Sequence, residues 1–132
     1  MQLFIYTDGG ARGNPGPAAA GIVIKNVSGE TISSFGEYLG ETTNNQAEYR
    51  ALIFALEKSM ELGGSEITCF SDSELMVKQL NHEYKIRNVD LAPLFLKIHN
   101  LSIKFKKISF HHIVREKNKE ADKLVNQILD KI

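Results

Sequence analysis

Hydrophobic and polar positions along the chain follow one period and then another. Leu3 to Tyr6 and Ala20 to Ile24 are short apolar runs, and a turn at Val27-Ser28-Gly29-Glu30 leads into a third strand-like segment, Thr31 to Leu39. Such runs bounded by glycine and polar residues predict strands, and their short connections predict an antiparallel meander. The spacing then becomes helical through Ala51, Leu52, Ala55, Leu56 and Leu62, with Asn44-Asn45 as a start signal and Gly63-Gly64 as a stop. Ile67 to Phe70 reads as a buried strand, Ser73 to Leu80 as a short helix and Leu91 to Leu101 as another. Ile108 to Val114 is the last predicted strand, and Lys119 to Ile132 a closing helix with Ala121, Leu124, Val125 and Ile128 on one face. Strands separated by helices join through right-handed parallel crossovers. The predicted fold is therefore α/β: a mixed five-stranded sheet, three antiparallel strands then two parallel ones, flanked by helices in a single domain over residues 1–132.

Composition narrows the class. A chain of 132 residues buries roughly two thirds of its unfolded surface and needs no covalent staple. Cys69 is the only cysteine, which excludes an intrachain disulfide and a cysteine-based zinc site and suits a reducing compartment. No apolar run reaches the roughly 18 residues that span a bilayer, and the N-terminal segment meets Asp8 before a signal-peptide core could form. The reading is a soluble, cytoplasmic protein without membrane contact. Acidic and basic residues balance at 16 each, yet residues 1–66 carry a net charge of −4 and residues 67–132 of +4. That asymmetry permits a nucleic-acid partner without requiring one.

Four carboxylates stand where a core pattern does not need them. In Phe4-Ile5-Tyr6-Thr7-Asp8-Gly9-Gly10-Ala11-Arg12-Gly13-Asn14-Pro15-Gly16, an apolar strand ends on Asp8 and runs into four glycines. Asp72 follows the fourth strand, Glu48 lies four residues before Leu52 on the core face of its helix, and Asp122 falls in the first turn of the last helix. Each has a local alternative: Glu48 could complete a capping box begun by Asn45, Asp72 could cap the short helix, and Asp122 could answer the helix dipole. Together they gather at one sheet edge, because ligand sites in α/β folds lie at the carboxyl ends of strands. Four converging carboxylates repel one another unless cations sit among them, and an all-oxygen donor set selects magnesium or manganese over zinc. The glycines match neither a dinucleotide fingerprint nor a P-loop, and a strand follows where those motifs require a helix.

These residues resemble the pattern of type 1 ribonuclease H along essentially the whole chain. TDGGARGNPGPAAAG is similar to that family's first strand and glycine-rich turn, TTNNQAEYRALIFAL to its first helix, SDSELMVKQL to its fourth strand and second helix, and NKEADKLVN to the start of its last helix. The resemblance implies cleavage of the RNA strand of RNA–DNA hybrids by a monomer with no organic cofactor, using two Mg2+ ions that Mn2+ can replace. It implies Asp8, Glu48, Asp72 and Asp122 as catalytic metal ligands and products with 5′-phosphate and 3′-hydroxyl ends. It also implies substrate contacts from Gly9, Gly10 and Asn14 in the glycine-rich stretch, from Thr43, Asn44 and Asn45 before the first helix, and from Arg115 and Asn118 before the last. On this reading the glycines let the backbone approach a nucleic-acid groove, and contact with the 2′-hydroxyl distinguishes RNA from DNA. A catalytically weak or silent hybrid-binding module is the alternative.

Two departures from the family pattern stand out. Many relatives carry a histidine in the loop before the last helix; here that loop is Val114-Arg115-Glu116-Lys117, and Arg115 is the candidate substitute. His111 and His112 precede it on the strand and alternate sides, so at most one faces the site. The basic protrusion of some relatives is also missing, since Asn81 to Asn88 hold only Lys85 and Arg87 as basic groups. Weak substrate binding is expected.

Overall fold

A computed structural model describes all residues, 1–132. Strands β1 (Gln2–Ala11), β2 (Gly16–Lys25) and β3 (Thr31–Thr42) form the antiparallel meander, and β4 (Glu66–Ser71) and β5 (Lys107–His112) add parallel to it. The sheet order is β3-β2-β1-β4-β5, the mixed five-stranded sheet that the periodicity predicts. Helices α1 (Asn44–Glu61), α2 (Glu74–Leu80), α3 (Ala92–Ser102) and α4 (Lys119–Leu129) complete it. No helix is long and apolar enough to cross a membrane.

Several strands outrun the hydrophobic pattern. β1 continues through Gly9, Gly10 and Ala11, paired with Ala20, Ala19 and Ala18 of β2, so Asp8 lies inside the strand rather than at its end. The extension escapes the apolar pattern because its ladder is built from glycine and alanine, whose backbones pair while their side chains carry little hydrophobic signal. The turn proper is only Arg12 to Pro15. β5 stops at His112, two residues short of the predicted end, and Arg115–Lys117 form a single 3-10 turn before α4.

The main core lies between α1 and the sheet: Leu3, Ile5, Ile22 and Ile24 meet Ala51, Leu52, Ala55 and Leu56, all buried. α4 covers the other sheet face with a small cluster of Ala19, Val125 and Leu129. Two glycines set how closely these helices approach. A Cβ at Gly9 would collide with the backbone of Ala47 and Glu48, and one at Gly21 with the carbonyl of Ala121. Gly9 therefore seats the N-terminal turn of α1 directly on β1 beside Asp8, and Gly21 seats that of α4 on β2, opposite Asp8 in the ladder. Gly9→Ala is expected to cost about 2–3 kcal/mol through overpacking against backbone that has no rotamer to relieve it. Urea melts check this value, and Gly10→Ala serves as the control, because its Cβ would meet only Val125 Cγ1 at 3.6 Å.

Candidate active site

Three of the four acids converge. The carboxylate oxygens of Asp8, Glu48 and Asp72 lie within 4.8 Å of one another, contributed from the carboxyl half of β1, the first turns of α1 and the residue just past β4. Asp8 and Glu48 are buried and Asp72 half-buried. They open into a cleft of about 420 Å3 whose walls include Asn44, Arg115, Asp122 and Asn126. Asp122 is outside the tight trio but close enough to hydrogen-bond Asp8 and raise its pKa.

Local folding explains how each carboxylate is held. Thr43, not Asn45, caps α1 by accepting from Gln46 N at 3.2 Å, so Glu48 completes no capping box. Glu48 Oε1 instead accepts from Gly9 N at 2.7 Å, which ties the helix to the strand beside Asp8. Ser73, not Asp72, caps α2 by accepting from Met76 N, leaving the Asp72 carboxylate uncommitted to the cap. Asp122 accepts from Arg115 Nη2 and Asn126 Nδ2, each at 3.4 Å.

The electrostatics are those of crowded, buried acids that a nearby arginine only partly offsets. Burial pushes Asp8 up to about 8, with the charge of Asp72 and the hydrogen bond that protonated Asp8 donates to Asp122 adding to the effect and Arg115 opposing it. Burial also holds Glu48 well above the usual carboxylate range; Asp8 and Asp72 push it further, while the Gly9 N–H pulls it back. Asp72 rises for the same first reason, with Arg115 and His112 opposing. Buried acids that raise one another are poor structural elements and good ligands. The donors are all hard oxygens, with no histidine or cysteine in the trio, which fits a magnesium-type cation and not zinc.

The polar residues beside the acids divide into two groups. Asn14 Oδ1 accepts from Asn44 N at 3.0 Å, and Asn44 Oδ1 accepts from Ala11 N at 2.8 Å, which clamps the glycine-rich turn to the tip of α1. Both side chains are exposed, as is Asn45, so their amide N–H groups face solvent beside the cleft. Thr43 is half-buried, and its hydroxyl proton is free to donate. Two expected contacts are placed differently. Asn118 is 2% exposed, and its Nδ2 donates to Thr7 O at 2.8 Å, so it anchors the start of α4 to β1 and does not reach the cleft surface. Gly9 and Gly10 both line the cleft, but Gly9 gives its N–H to Glu48 and its Cα face to Ala47, whereas a Cβ at Gly10 would meet only Val125 Cγ1 at 3.6 Å. The sequence reading also missed Arg12 and Asn126 on the cleft wall. Arg12 reaches 2.5 Å to Asp130 beyond the end of α4, a pairing across 118 positions that no local pattern signals.

Of the two strand histidines, His111 packs against Phe70, with ring centroids 5.7 Å apart and planes tilted by 35°, while His112 is near enough to oppose the rise of Asp72. Arg115 is the only basic group of the 3-10 turn that lines the cleft.

Comparison with known proteins agrees with this arrangement. A family described as reverse transcriptase-like matches residues 6–128. Ribonuclease HI of Halobacterium salinarum is 41% identical over 129 residues, 98% of this chain and 65% of its own length. The crystal structure of RNase H1 from that archaeon covers all of both chains with a TM-score of 0.97 at 39% identity. LC11-RNase H1, crystallised in complex with an RNA/DNA hybrid, superimposes with a TM-score of 0.93 at 46% identity, covering 98% of this chain and 97% of its own. A bifunctional protein of Mycobacterium tuberculosis is 37% identical over 131 residues, of which this chain spans only 36% of the length. Because the likeness runs through every strand and through the helix starts that carry the acids, the chain belongs to the ribonuclease H family.

Proposed function

We propose that this chain is a metal-dependent endonuclease that hydrolyses the RNA strand of RNA–DNA hybrids and leaves 5′-phosphate and 3′-hydroxyl ends. The observation that carries the reading is the trio of Asp8, Glu48 and Asp72 within 4.8 Å at the floor of an open cleft. Asp8, Glu48 and Asp72 would hold one divalent ion, and Asp122 with Asp8 a second. Bound there, Mg2+ or Mn2+ would supply an activated water and neutralise the charge that gathers on the phosphoryl and leaving 3′ oxygens.

The chain's own groups position the substrate. The outward amides of Asn14, Asn44 and Asn45 donate toward the minor groove, where the 2′-hydroxyl marks the RNA strand. The Thr43 hydroxyl is free to donate to a phosphate of the DNA strand. Gly10 lets the groove approach without a side chain in its way. Arg115, half-engaged with Asp122, carries a permanent charge beside the cleft that suits a phosphate.

A labelled RNA–DNA hybrid, with duplex DNA and duplex RNA beside it, tests the proposal in magnesium, manganese, calcium and EDTA. Cleavage of the hybrid alone in magnesium or manganese is expected. In calcium the hybrid should bind without cleavage, because calcium takes six to eight oxygens loosely and does not impose the octahedral geometry that aligns the water. Metal-dependent binding with no cleavage in any ion would establish the hybrid-binding module instead, and cleavage in EDTA would overturn both readings.

A further inference from the structure

On the α4 side of the sheet, Tyr6, Phe70 and His111 occupy one row across β1, β4 and β5: Tyr6 pairs with Phe70 and Phe70 with His111. The Tyr6 and Phe70 centroids are 4.9 Å apart with planes 21° from parallel, and Phe70 and His111 are 5.7 Å apart at 35°. Adjacent strands are about 4.8 Å apart, so the rings stand upright and face one another along the hydrogen-bonding direction. They form a column that runs across the sheet. One end is closed by Lys25, whose Nζ is 5.4 Å from the Tyr6 centroid. The other end is open, because β5 is an edge strand and His111 is exposed. The His111 ring is also held in place, with Nε2 2.9 Å from Ser109 Oγ on the same strand face.

The column lies next to the acids. Asp8 is two residues beyond Tyr6 on β1, about 7 Å along the same face, and Asp72 follows Phe70 by two as β4 ends. A stack with one free aromatic face beside a nucleic-acid cleft has a natural occupant, a planar base that extends it. Bases inside a duplex are already stacked on both sides, so the free face suits an unpaired one. Lys107, on the same face of β5 about 13 Å from His111, supplies positive charge for the phosphates of a strand running along that edge.

We propose that the outer face of His111 is a stacking site for an unpaired nucleobase, so that the protein binds a hybrid carrying a single-stranded extension more tightly than a blunt one. The inference rests on hybrid binding at the acidic cleft, but concerns a separate surface. The test compares, in calcium, blunt hybrids with hybrids extended at either end of either strand, using 2-aminopurine as the first unpaired base. For one polarity of extension, affinity should rise about tenfold and the 2-aminopurine fluorescence should be quenched on binding. His111→Ala should remove both effects while leaving blunt-hybrid affinity unchanged, and His111→Phe should keep them. If no extension improves binding, or if His111→Ala retains the gain, the stacking site is wrong while the cleft reading stands. Failure to bind any hybrid, blunt or extended, would overturn both.

Discussion

Asp8→Asn and Asp72→Asn are each expected to lower turnover in magnesium by about a thousandfold or more while the protein stays folded. Either change keeps the shape of the side chain and removes one of three closely spaced metal-ligand charges, and a loss of several kcal/mol at the transition state corresponds to that factor. The same substitution should stabilise the metal-free protein. In the metal-free protein an amide avoids the cost of burying an acid beside other acids within 4.8 Å, about 1–3 kcal/mol, which moves the melting temperature of a domain of this size up by a few degrees. Gain of stability with loss of activity separates a ligand from a structural carboxylate, whose removal would lose both. Near wild-type turnover in either variant, or an unfolded product, would sink the site as drawn.

The direction of the Asp8 shift gives this prediction a pH signature. Its pKa is raised to about 8 in the folded chain, from 3.8, first by burial and then by Asp72. Between those values the unfolded chain has lost the proton and the folded one keeps it. Stability of the metal-free protein therefore falls as pH rises through this window and levels off above about 8. Glu48, raised for the same reason, acts in the same direction. Urea melts in EDTA at pH 5 and pH 8 should show wild type losing about 2–4 kcal/mol more than Asp8→Asn over this span. Magnesium should reduce that difference, because ions and protons compete for the same oxygens. Equal pH slopes for the two proteins would mean that Asp8 is not buried among like charges.

What the sequence made legible follows from which forces act locally. The alternation of strand and helix periods is written in neighbouring residues, so element order and the mixed sheet could be read from it. The acids were legible because Asp8, Asp72 and Glu48 break those patterns at points the topology brings together. The caps were not: Thr43 and Asn45 are both good cap residues two positions apart, and the choice depends on where β3 releases the chain. The burial of Asn118 is not legible either, because its motif position marks only the start of α4, whereas the side chain is tied to Thr7, 111 residues away. The glycine-rich stretch suggests room for a ligand. At Gly9 that room is filled by α1, a matter of helix packing that a single chain of letters does not display. The Tyr6–Phe70–His111 column has the same origin, since it depends on the pairing of three strands far apart in sequence.

Arg115→Ala should lower kcat by about tenfold to a hundredfold and change KM by no more than about threefold. Arg115 is alone in the turn before α4 in facing the cleft, and its charge already acts on Asp8 and Asp72. Its side chain is 75% exposed and holds Asp122 only at 3.4 Å, so the pair adds little to stability and the melting temperature should barely move. The guanidinium is therefore free to leave Asp122 for a phosphate once substrate is present. A group that is charged at every working pH can hold a phosphate but does not shuttle protons, so the pH–rate profile of Arg115→Ala should keep the wild-type shape at reduced height. Arg115→Lys should recover only part of the loss, since an ammonium offers a point charge in place of a planar fork. His112→Ala should leave turnover on a blunt hybrid within about threefold, because its effect on Asp72 is only electrostatic and its side chain is exposed. Steady-state kinetics on a short blunt hybrid, with melts as control, decide the matter. A folded His112→Ala that lost about a hundredfold while Arg115→Ala kept its turnover would move the role from the turn to the strand.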